Sequence, residues 1–470
     1  LVSTNPTVQV TVFEGSDRVG GIVQTVRRDG FVIELGPDNF ITNKPGAIRL
    51  ADEIGFRDQL IPTEAAWRRS LVLRNGQPMQ VPEGFMLMAP SKPMAILTTP
   101  ILSLRGKLRL LAEALIPRRR SEDDESLADF VRRRFGRETL DRLVQPLVGG
   151  IYTSDPEKLS IQATLPRFPE MERRYGSVIR ATLYEKRTGT PDDHDESSKT
   201  RAVSGSGARY GLFLSAKDGL GTMMTAIADV CRNSGRVEFR MKTPVTSIRH
   251  TLTSDGTLQW TVESTAGSGD GQTGSDRSEV FDAVIITLPA WAAAGLLKAD
   301  AFAALRKALL SIEYAGSAIV VSAHDLADFT HPMDAFGLVI PHQEKRRILA
   351  ISFSSRKFPG RAPAGQILLR TFVGGAMQPE LLGKSDEEIL QLVDEELRSI
   401  LGLRRPAKFA ELVRYNRAMP QYHVGHLLRI QEIEQAAAAF PGLGLAGSTY
   451  YGVGIPDSID SARKVADALL

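Results

Sequence analysis

The segment near the C-terminus, residues 443–469, constrains the fold more than any other part of the chain. An apolar strand is predicted over Leu443–Ala446, and a turn with three glycines and a helix predicted over Asp457–Leu469 follow it. Glycines let a backbone approach a ligand closely, and the N-terminus of a helix carries a partial positive charge. The segment therefore predicts a turn that binds an anionic group. A strand, turn and helix with a purely structural role is the alternative.

A second informative strand is predicted near the N-terminus, over Val8–Glu14, and it ends in an acidic residue. In a dinucleotide-binding βαβ unit, such a residue accepts hydrogen bonds from ribose hydroxyls, about 20 residues after a glycine-rich fingerprint. Leu1–Thr7 contains no glycine, so we expect the fingerprint to lie outside the given sequence. Taken alone, the segment is equally compatible with an ordinary strand that ends in an exposed Glu14.

Two loops with glycines follow this strand. Arg18 can make a charge-assisted contact to phosphate, and Gly20 and Gly21 allow close backbone approach. Gly36-Pro37-Asp38 follows the next predicted strand, and the apolar run Phe281–Leu288 is typical of a central parallel strand. Because these pieces are far apart along the chain, we predict that other domains are inserted into the nucleotide-binding domain.

Composition excludes several classes of protein. Lys plus Arg total 58 and Asp plus Glu 55, so the net charge is +3, which argues against a nucleic-acid binder. Cys231 is the single cysteine, so an intrachain disulfide and a multi-cysteine metal site are excluded. It falls on an apolar helical stripe and is predicted to pack there. His423 and His426 have no carboxylate beside them, so we predict packing or backbone hydrogen bonding and no metal site.

The location predicted from the sequence is intracellular and reducing, in the cytoplasm. No apolar run reaches the ~18 residues of a membrane-spanning helix, and the N-terminus lacks the pattern of a signal peptide. The segment Pro93–Leu104 is apolar and is followed by Arg105, Lys107 and Arg109. Such a surface suits peripheral contact with a membrane or an apolar substrate entrance. A core helix with a solvated basic end is the alternative.

Four segments together resemble the FAD-binding segments of the monoamine oxidase and phytoene desaturase superfamily. They read FEGSDRVGG, ELGPD, FDAVIITLP and LAGSTYYGVGIPDSIDSA. Within this superfamily the chain is similar to the protoporphyrinogen oxidases. That resemblance rests on LVQPLVGGIYTSDPEKLSI (143–161), FGLVIP (336–341), RTFVGGA (370–376) and MPQYHVGHL (419–427).

The resemblance implies an α/β fold, α+β overall, with a discontinuous Rossmann-like FAD-binding domain at 1–65, 210–295 and 405–470. A substrate-binding sheet domain is expected at 66–91 and 296–404. A helical, membrane-associating domain is expected at 92–209, with a flexible loop at 186–209. The residues implied to contact FAD are Glu14, Arg18, Gly20, Gly21, Gly36, Pro37, Val245, Ala446, Val453, Gly454 and Ile455. Those implied to line the substrate pocket are Phe336, Gly337 and Val339, with Arg69 or its neighbour Arg68 pairing with a propionate.

The activity implied by the resemblance is FAD-dependent oxidation of a porphyrinogen to a porphyrin by dioxygen, in heme biosynthesis. The flavin carries out the chemical step, so no residue is assigned as catalytic. Protoporphyrinogen IX and coproporphyrinogen III both stay open as substrates, and a neighbouring heme-pathway enzyme is a candidate partner. The alternatives are another flavin amine oxidase or desaturase, and a truncated, non-catalytic remnant. A chain that starts at Leu1 is expected to bind FAD weakly.

Overall fold

The structure is a computed structural model that describes residues 1–2, 5–86, 88–90, 93–188, 213–252, 258–265 and 276–469. Its strands are β1 Val10–Phe13, β2 Thr25–Arg28, β3 Phe31–Glu34, β4 Phe40–Ile41, β5 Leu60–Pro62, β6 Leu71–Arg74, β7 Gln77–Gln80, β8 Phe85–Met86, β9 Ala89–Pro90, β10 Phe213–Ala216, β11 Val237–Arg240, β12 Val245–Leu252, β13 Leu258–Thr265, β14 Asp276–Phe281, β15 Val284–Ile286, β16 Tyr314–Asp325, β17 Gly337–Val339, β18 Ala350–Phe353, β19 Gln366–Gly374, β20 Phe409–Pro420 and β21 Leu443–Leu445.

Helices are distributed along the whole described chain and are concentrated between residues 93 and 188. They are α1 Gly46–Glu53, α2 Pro93–Thr98, α3 Leu104–Leu111, α4 Leu127–Arg134, α5 Arg137–Thr139, α6 Gln145–Tyr152, α7 Ile161–Thr164, α8 Arg167–Tyr175, α9 Val178–Thr188, α10 Leu220–Asn233, α11 Ala290–Leu296, α12 Ala303–Leu310, α13 Ser354–Lys357, α14 Asp386–Leu401, α15 His426–Ala437 and α16 Ile455–Leu469. A π-helical segment, Leu140–Val144, connects α5 to α6.

Parallel strand pairs link distant parts of the chain. β1 pairs with β11, and β15 pairs with β21, both in parallel. Because each pair joins strands more than a hundred residues apart, the chain must return repeatedly to this region. This arrangement confirms the predicted α/β fold class with interleaved segments. The apolar run predicted as one strand over 281–288 divides into the end of β14 and the shorter β15.

A seven-stranded mixed sheet has the order β20-β16-β19-β18-β17-β6-β7. Its second strand, β16, is apolar at successive positions because both of its faces are covered. Ala318 and Val320 pack in the cluster that contains α14, and Ile319 and Val321 pack in the cluster that contains β3. The sheet thus supports the turn that follows β3.

Local signals in the sequence correspond closely to the observed elements. Asn75 and Gly76 have φ values of 52° and 74°, as the tight turn of the β6–β7 hairpin requires. Ser385 and Glu388, three residues apart, form a capping box at the start of α14. Cys231 lies on α10, half-buried and unpaired. Burial raises the pKa of its thiol.

The strand β20, which the prediction grouped with the FAD-binding segments, pairs along most of its length with β16 in the seven-stranded sheet. The division into three domains stays a prediction. The predicted loop at 186–209 lies largely outside the described residues.

Candidate active site

The loop after β1 brings two predicted cofactor residues together. The side-chain Oε1 of Glu14 accepts a hydrogen bond from the Ser16 N–H at 2.8 Å. The backbone carbonyl of Glu14 accepts one from the Thr243 N–H at 2.8 Å, two residues before Val245 at the start of β12. The strand end that carries Glu14 and the strand start that carries Val245 are therefore adjacent.

Arg18 organises its own loop. Its guanidinium donates to the carbonyl oxygens of Val19 at 3.3 Å and Val23 at 3.2 Å, and also to that of Gly21. Gly20 and Gly21 have φ values of 99° and 55°, which side chains disfavour, and no atom lies within 4 Å of the position of a Cβ on Gly21. The loop is thus a closely bonded turn with an open face at Gly21.

The turn at Gly36 and Pro37 lies directly against that loop. A Cβ on Gly36 would lie 1.8 Å from the carbonyl oxygen of Ile22, so only glycine fits there. The Arg370 guanidinium donates to the carbonyl oxygen of Gly36, and the Tyr415 hydroxyl donates to that of Leu35 at 3.0 Å. The two N-terminal turns therefore form one packed unit, fixed from behind by side chains of β19 and β20.

A buried ion cluster follows this turn. The Asp38 carboxylate lies 3.2 Å from Lys357 Nζ and 3.4 Å from Arg370 Nη1. Burial acts to raise the pKa of Asp38, but the two cations outweigh burial and hold this pKa well below its usual range. Burial also lowers the pKa of Lys357. Neither Lys357 nor Arg370 was singled out by the sequence, since each lies more than 300 residues from Asp38.

The C-terminal turn leaves β21 and enters α16. The Ala446 N–H donates to the Ile286 carbonyl at 3.1 Å, which keeps the turn next to β15. The Gly454 N–H donates to Asp457 Oδ2 at 3.2 Å, and Asp457 also pairs with Lys44. In the described part of the chain, the backbone N–H groups of Val453 and Ile455 have no hydrogen-bond acceptor. Two donors at the N-terminus of a 15-residue helix are therefore available to a ligand.

The predicted substrate residues lie on β17 and its approach. Phe336 is buried, and its N–H donates to the carbonyl of Arg69 at 2.9 Å. The Arg69 guanidinium lies 3.0 Å from Asp334, with roughly a third of its side chain exposed (37%). A Cβ on Gly337 would lie 2.4 Å from the Ile351 carbonyl, so a side chain there would disturb the pairing of β17 with β18. Arg68 instead donates to the Thr63 carbonyl at 2.9 Å.

Three parts of the chain meet at the helical core. Val453 of the C-terminal turn, Val339 of β17 and Tyr152 of α6 all pack, partly buried, against the same apolar cluster. The site of a Cβ on Gly150 lies 3.8 Å from Val339 Cγ1, so α6 and β17 are in close contact. The predicted cofactor turn and the predicted substrate strand thus pack against the same apolar cluster, and α6, which the resemblance motifs include, contacts the substrate strand.

The motif at 419–427 has a visible role at this place. The Tyr422 hydroxyl donates to the Ser448 carbonyl at 2.6 Å and accepts from the Gly452 N–H at 2.9 Å. His426 is fully buried, and its Nε2 lies 2.9 Å from the Tyr450 carbonyl, as the predicted backbone hydrogen bond requires. His423 lies 3.5 Å from Glu313. No group of three potential metal ligands occurs among the described residues.

Comparison with known proteins is consistent with this geometry. Residues 2–470 match the family model described as flavin containing amine oxidoreductase. The chain belongs to this family. It is similar to the coproporphyrinogen III oxidase of Bacillus subtilis (strain 168), with 32% identity over 99% of this chain and 92% of that protein. It is also similar to the mitochondrial protoporphyrinogen oxidase of Nicotiana tabacum, with 26% identity over 98% of this chain and 90% of that protein.

Solved structures share the fold as well. A protein from Exiguobacterium sp. 255-15 superposes with a TM-score of 0.82 at 27% identity, covering all of this chain (100%) and 94% of that one. A reduced UDP-galactopyranose mutase superposes with a TM-score of 0.65 at 15% identity over 97% of this chain, which shows a common fold alone. The flavin oxidoreductase predicted from the sequence motifs is thereby confirmed.

The residues present fit FAD, the cofactor of this family. The N–H groups of Val453 and Ile455 suit the electron-rich edge of a flavin, and the open glycine face at Gly21 leaves room for backbone contact with a phosphate. Glu14 ends β1 with one carboxylate oxygen in a local bond and a second to offer to a ribose hydroxyl. No described helix is both long and apolar enough to cross a membrane.

Proposed function

We propose that this protein oxidises a porphyrinogen to the corresponding porphyrin with FAD and dioxygen, in heme biosynthesis, and that coproporphyrinogen III is its substrate. The full-length similarity to the coproporphyrinogen III oxidase of Bacillus subtilis carries this proposal. The similarity to the tobacco protoporphyrinogen oxidase, with its lower identity, makes protoporphyrinogen IX the second candidate. Both substrates are apolar macrocycles of four pyrroles joined by saturated carbons, with carboxylate side chains, and one flavin site serves either.

The proposed cofactor contacts are those of the three turns: Glu14, Arg18, Gly20, Gly21, Gly36, Pro37, Val245, Ala446, Val453, Gly454 and Ile455. When bound, FAD supplies hydride acceptance from a bridging carbon of the macrocycle and passes the electrons to dioxygen, giving hydrogen peroxide. Three such rounds remove six hydrogens and consume three molecules of dioxygen. The protein orients the macrocycle, excludes water and supplies backbone donors at the helix N-terminus.

The proposed substrate contacts are Phe336, Gly337 and Val339, with Arg69 toward a propionate. Support comes from the position of Val339 against the same cluster as Val453. Arg69 lies next to Phe336 and forms an ion pair with Asp334. A substrate propionate would therefore compete with the Asp334 carboxylate for the Arg69 guanidinium. An Arg69→Lys variant should therefore raise KM more than it lowers kcat, because the planar fork of two donors is lost.

A substrate comparison tests the proposed activity. The flavin-loaded protein is mixed with coproporphyrinogen III, protoporphyrinogen IX or benzylamine, and porphyrin fluorescence and peroxide are followed against a reaction without protein. We expect porphyrin to form with three peroxides per macrocycle, and kcat/KM to be at least ~10-fold higher for coproporphyrinogen III, about 1.4 kcal/mol in transition-state binding. Oxidation of the amine without oxidation of either porphyrinogen would contradict the proposal.

We also propose that α2 and α3 present a surface for peripheral contact with a membrane. Met94, Leu104 and Leu108 are exposed on these helices and Leu115 just after α3, and Arg105 and Lys107 lie among them. A groove of about 430 Å³ lies beside Met94 and Pro82 on the same side. Exposed apolar side chains mixed with cations suit the interface of an anionic bilayer. Co-sedimentation with anionic but not neutral vesicles would support this contact, and no pelleting with either would oppose it.

A further inference from the structure

Tyr422 spans the C-terminal turn from beneath. Its ring is almost completely buried, and its hydroxyl bonds both Ser448 and Gly452, so a single oxygen fixes the separation of two points on the turn. Both partners are backbone groups of the turn. The Tyr422 side chain therefore fixes the path of the turn backbone, whichever side chains the turn residues carry. Hydrogen bonds of this kind are strengthened by the absence of competing water.

His426 extends this support to the centre of the turn. Its imidazole stacks on the Tyr422 ring with centroids 3.8 Å apart and an angle of 15°. Since the Tyr450 carbonyl can only accept, the Nε2 atom carries the proton, and the buried Nδ1 has no hydrogen-bond partner among the described residues. Burial lowers the pKa of His426 to about 4, so the ring is neutral at physiological pH.

A third side chain holds the turn from the opposite side. The Tyr314 hydroxyl lies 2.7 Å from Thr449 Oγ1 and accepts a hydrogen bond from the Ala290 N–H at 2.8 Å. The four bonds at Ser448, Thr449, Tyr450 and Gly452 therefore come from phenols and an imidazole, none of which is charged. A charged group, the Asp457 carboxylate, bonds the turn further along, at the Gly454 N–H.

We propose that Tyr422 and His426 are positioning residues that set the direction of the Val453 and Ile455 N–H groups toward the flavin. The inference rests on the proposed cofactor contacts of this turn and adds residues that contact neither cofactor nor substrate. Tyr422 and His426 both belong to the motif at 419–427, so this role explains how the motif contributes to the site. A turn released at Ser448 and Gly452 would let the donors rotate away from the flavin edge, which weakens the stabilisation of the reduced cofactor.

Tyr422→Phe tests the inference because it keeps the stacked ring and removes the hydroxyl alone. We expect the flavin-loaded variant to show a more negative flavin midpoint potential and a kcat about 10-fold lower, with KM within about twofold of the parent protein. Tyr451→Phe is the matched control. The Tyr451 hydroxyl bonds Glu434 on the surface at 2.6 Å, away from the turn backbone, so potential and kcat should not change.

A second pair of variants keeps the test decisive if Tyr422→Phe does not fold. His426→Gln retains an N–H that can reach the Tyr450 carbonyl, whereas His426→Leu does not. The leucine variant should show both a lower kcat and a more negative flavin midpoint potential than the parent protein. The glutamine variant should recover at least half of each of these two differences. Equal potentials in both variants and the parent, with only the thermal stability lowered, would overturn the positioning role.

Gly454→Val separates this inference from the cofactor assignment on which it rests. A side chain at residue 454 would lie 2.9 Å from Asp457 Oδ2 and would disturb the turn directly. Loss of bound flavin in Gly454→Val, with unchanged potential in Tyr422→Phe, would overturn the inference alone. Unchanged flavin binding in folded Gly454→Val would show that the cofactor does not use this turn, and the proposed site itself would then be wrong.

Discussion

The two turns proposed to hold FAD are supported in opposite ways. The Gly36–Asp38 turn is fixed by buried charges, with the Asp38 carboxylate between Lys357 and Arg370. Between Ser448 and Gly452, the C-terminal turn is fixed by the neutral side chains of Tyr422, His426 and Tyr314. Both arrangements give hydrogen-bond partners to backbone groups that are shielded from water. They differ in how much stability is lost when one partner is removed.

The difference follows from the energetics of burial. A buried ion cluster is held by attractions that only just offset the cost of removing charges from water, so loss of one partner leaves an uncompensated charge. A neutral hydrogen bond leaves at most an unpaired dipole, which costs less. We therefore infer that the N-terminal turn controls stability and that the C-terminal turn, proposed to face the flavin edge, can be adjusted without unfolding the protein.

Asp38→Asn should have the largest effect. The change leaves Lys357 and Arg370 buried beside each other without a counterion, so we expect the free energy of unfolding to fall by about 3–5 kcal/mol. Urea unfolding followed by circular dichroism measures it. Asp394→Asn is the control, because Asp394 pairs with Arg398 on the exposed face of α14 and should contribute less than about 1 kcal/mol. Equal losses in the two variants would contradict the comparison.

The contrast also explains which features could be predicted from sequence. The turn at Asn75-Gly76, the capping box at Ser385 and the C-terminal strand, turn and helix depend on residues a few positions apart, and local patterns record them. Pairing of Asp38 with Lys357 depends on the path of the chain through more than 300 residues, and no local pattern carries it. For the same reason, no local pattern shows that β20 pairs with β16, about 90 residues earlier in the chain.

The candidate site shows the same limit. Glycines and a strand-ending acid indicate a cofactor because the chemistry requires them at short spacing. Tyr422 is an ordinary aromatic residue in the sequence, and its role is visible only where its hydroxyl meets Ser448 and Gly452. The signal that could have found it was the resemblance motif at 419–427, which otherwise had no function assigned to it.

A pH titration of stability should show the second largest effect. Burial lowers the pKa of His426 to about 4, below its unfolded value of about 6.5, so protonation favours the unfolded chain. The contribution of this group is complete above pH ~6.5 and is lost as the pH falls toward ~4, by about 3 kcal/mol in total. The measurement compares urea unfolding of the parent protein and His426→Gln across this range.

The glutamine variant isolates the histidine from other titrating groups. His324, whose pKa burial also lowers to about 4, remains in both proteins and cancels in the difference. The difference in stability between parent and variant should therefore change with pH between about 6.5 and 4 and should be constant above pH ~7. A difference that is constant over the whole range would mean that the pKa of His426 is the same in the folded and the unfolded chain, which would contradict the prediction.

Gly36→Ala has the smallest expected effect on stability and the sharpest effect on the cofactor. The new Cβ would collide with the Ile22 carbonyl, so the two N-terminal turns must separate by a small backbone shift, which costs about 1–3 kcal/mol. Gly295→Ala in α11 is the control, because no atom lies within 4 Å of the position of its Cβ, and a helical alanine should stabilise slightly. We expect flavin absorbance per protein to fall several-fold in the first variant and to be unchanged in the second. A Gly36→Ala protein with full flavin would show that the ion cluster, and not the glycine contact, is what this turn needs.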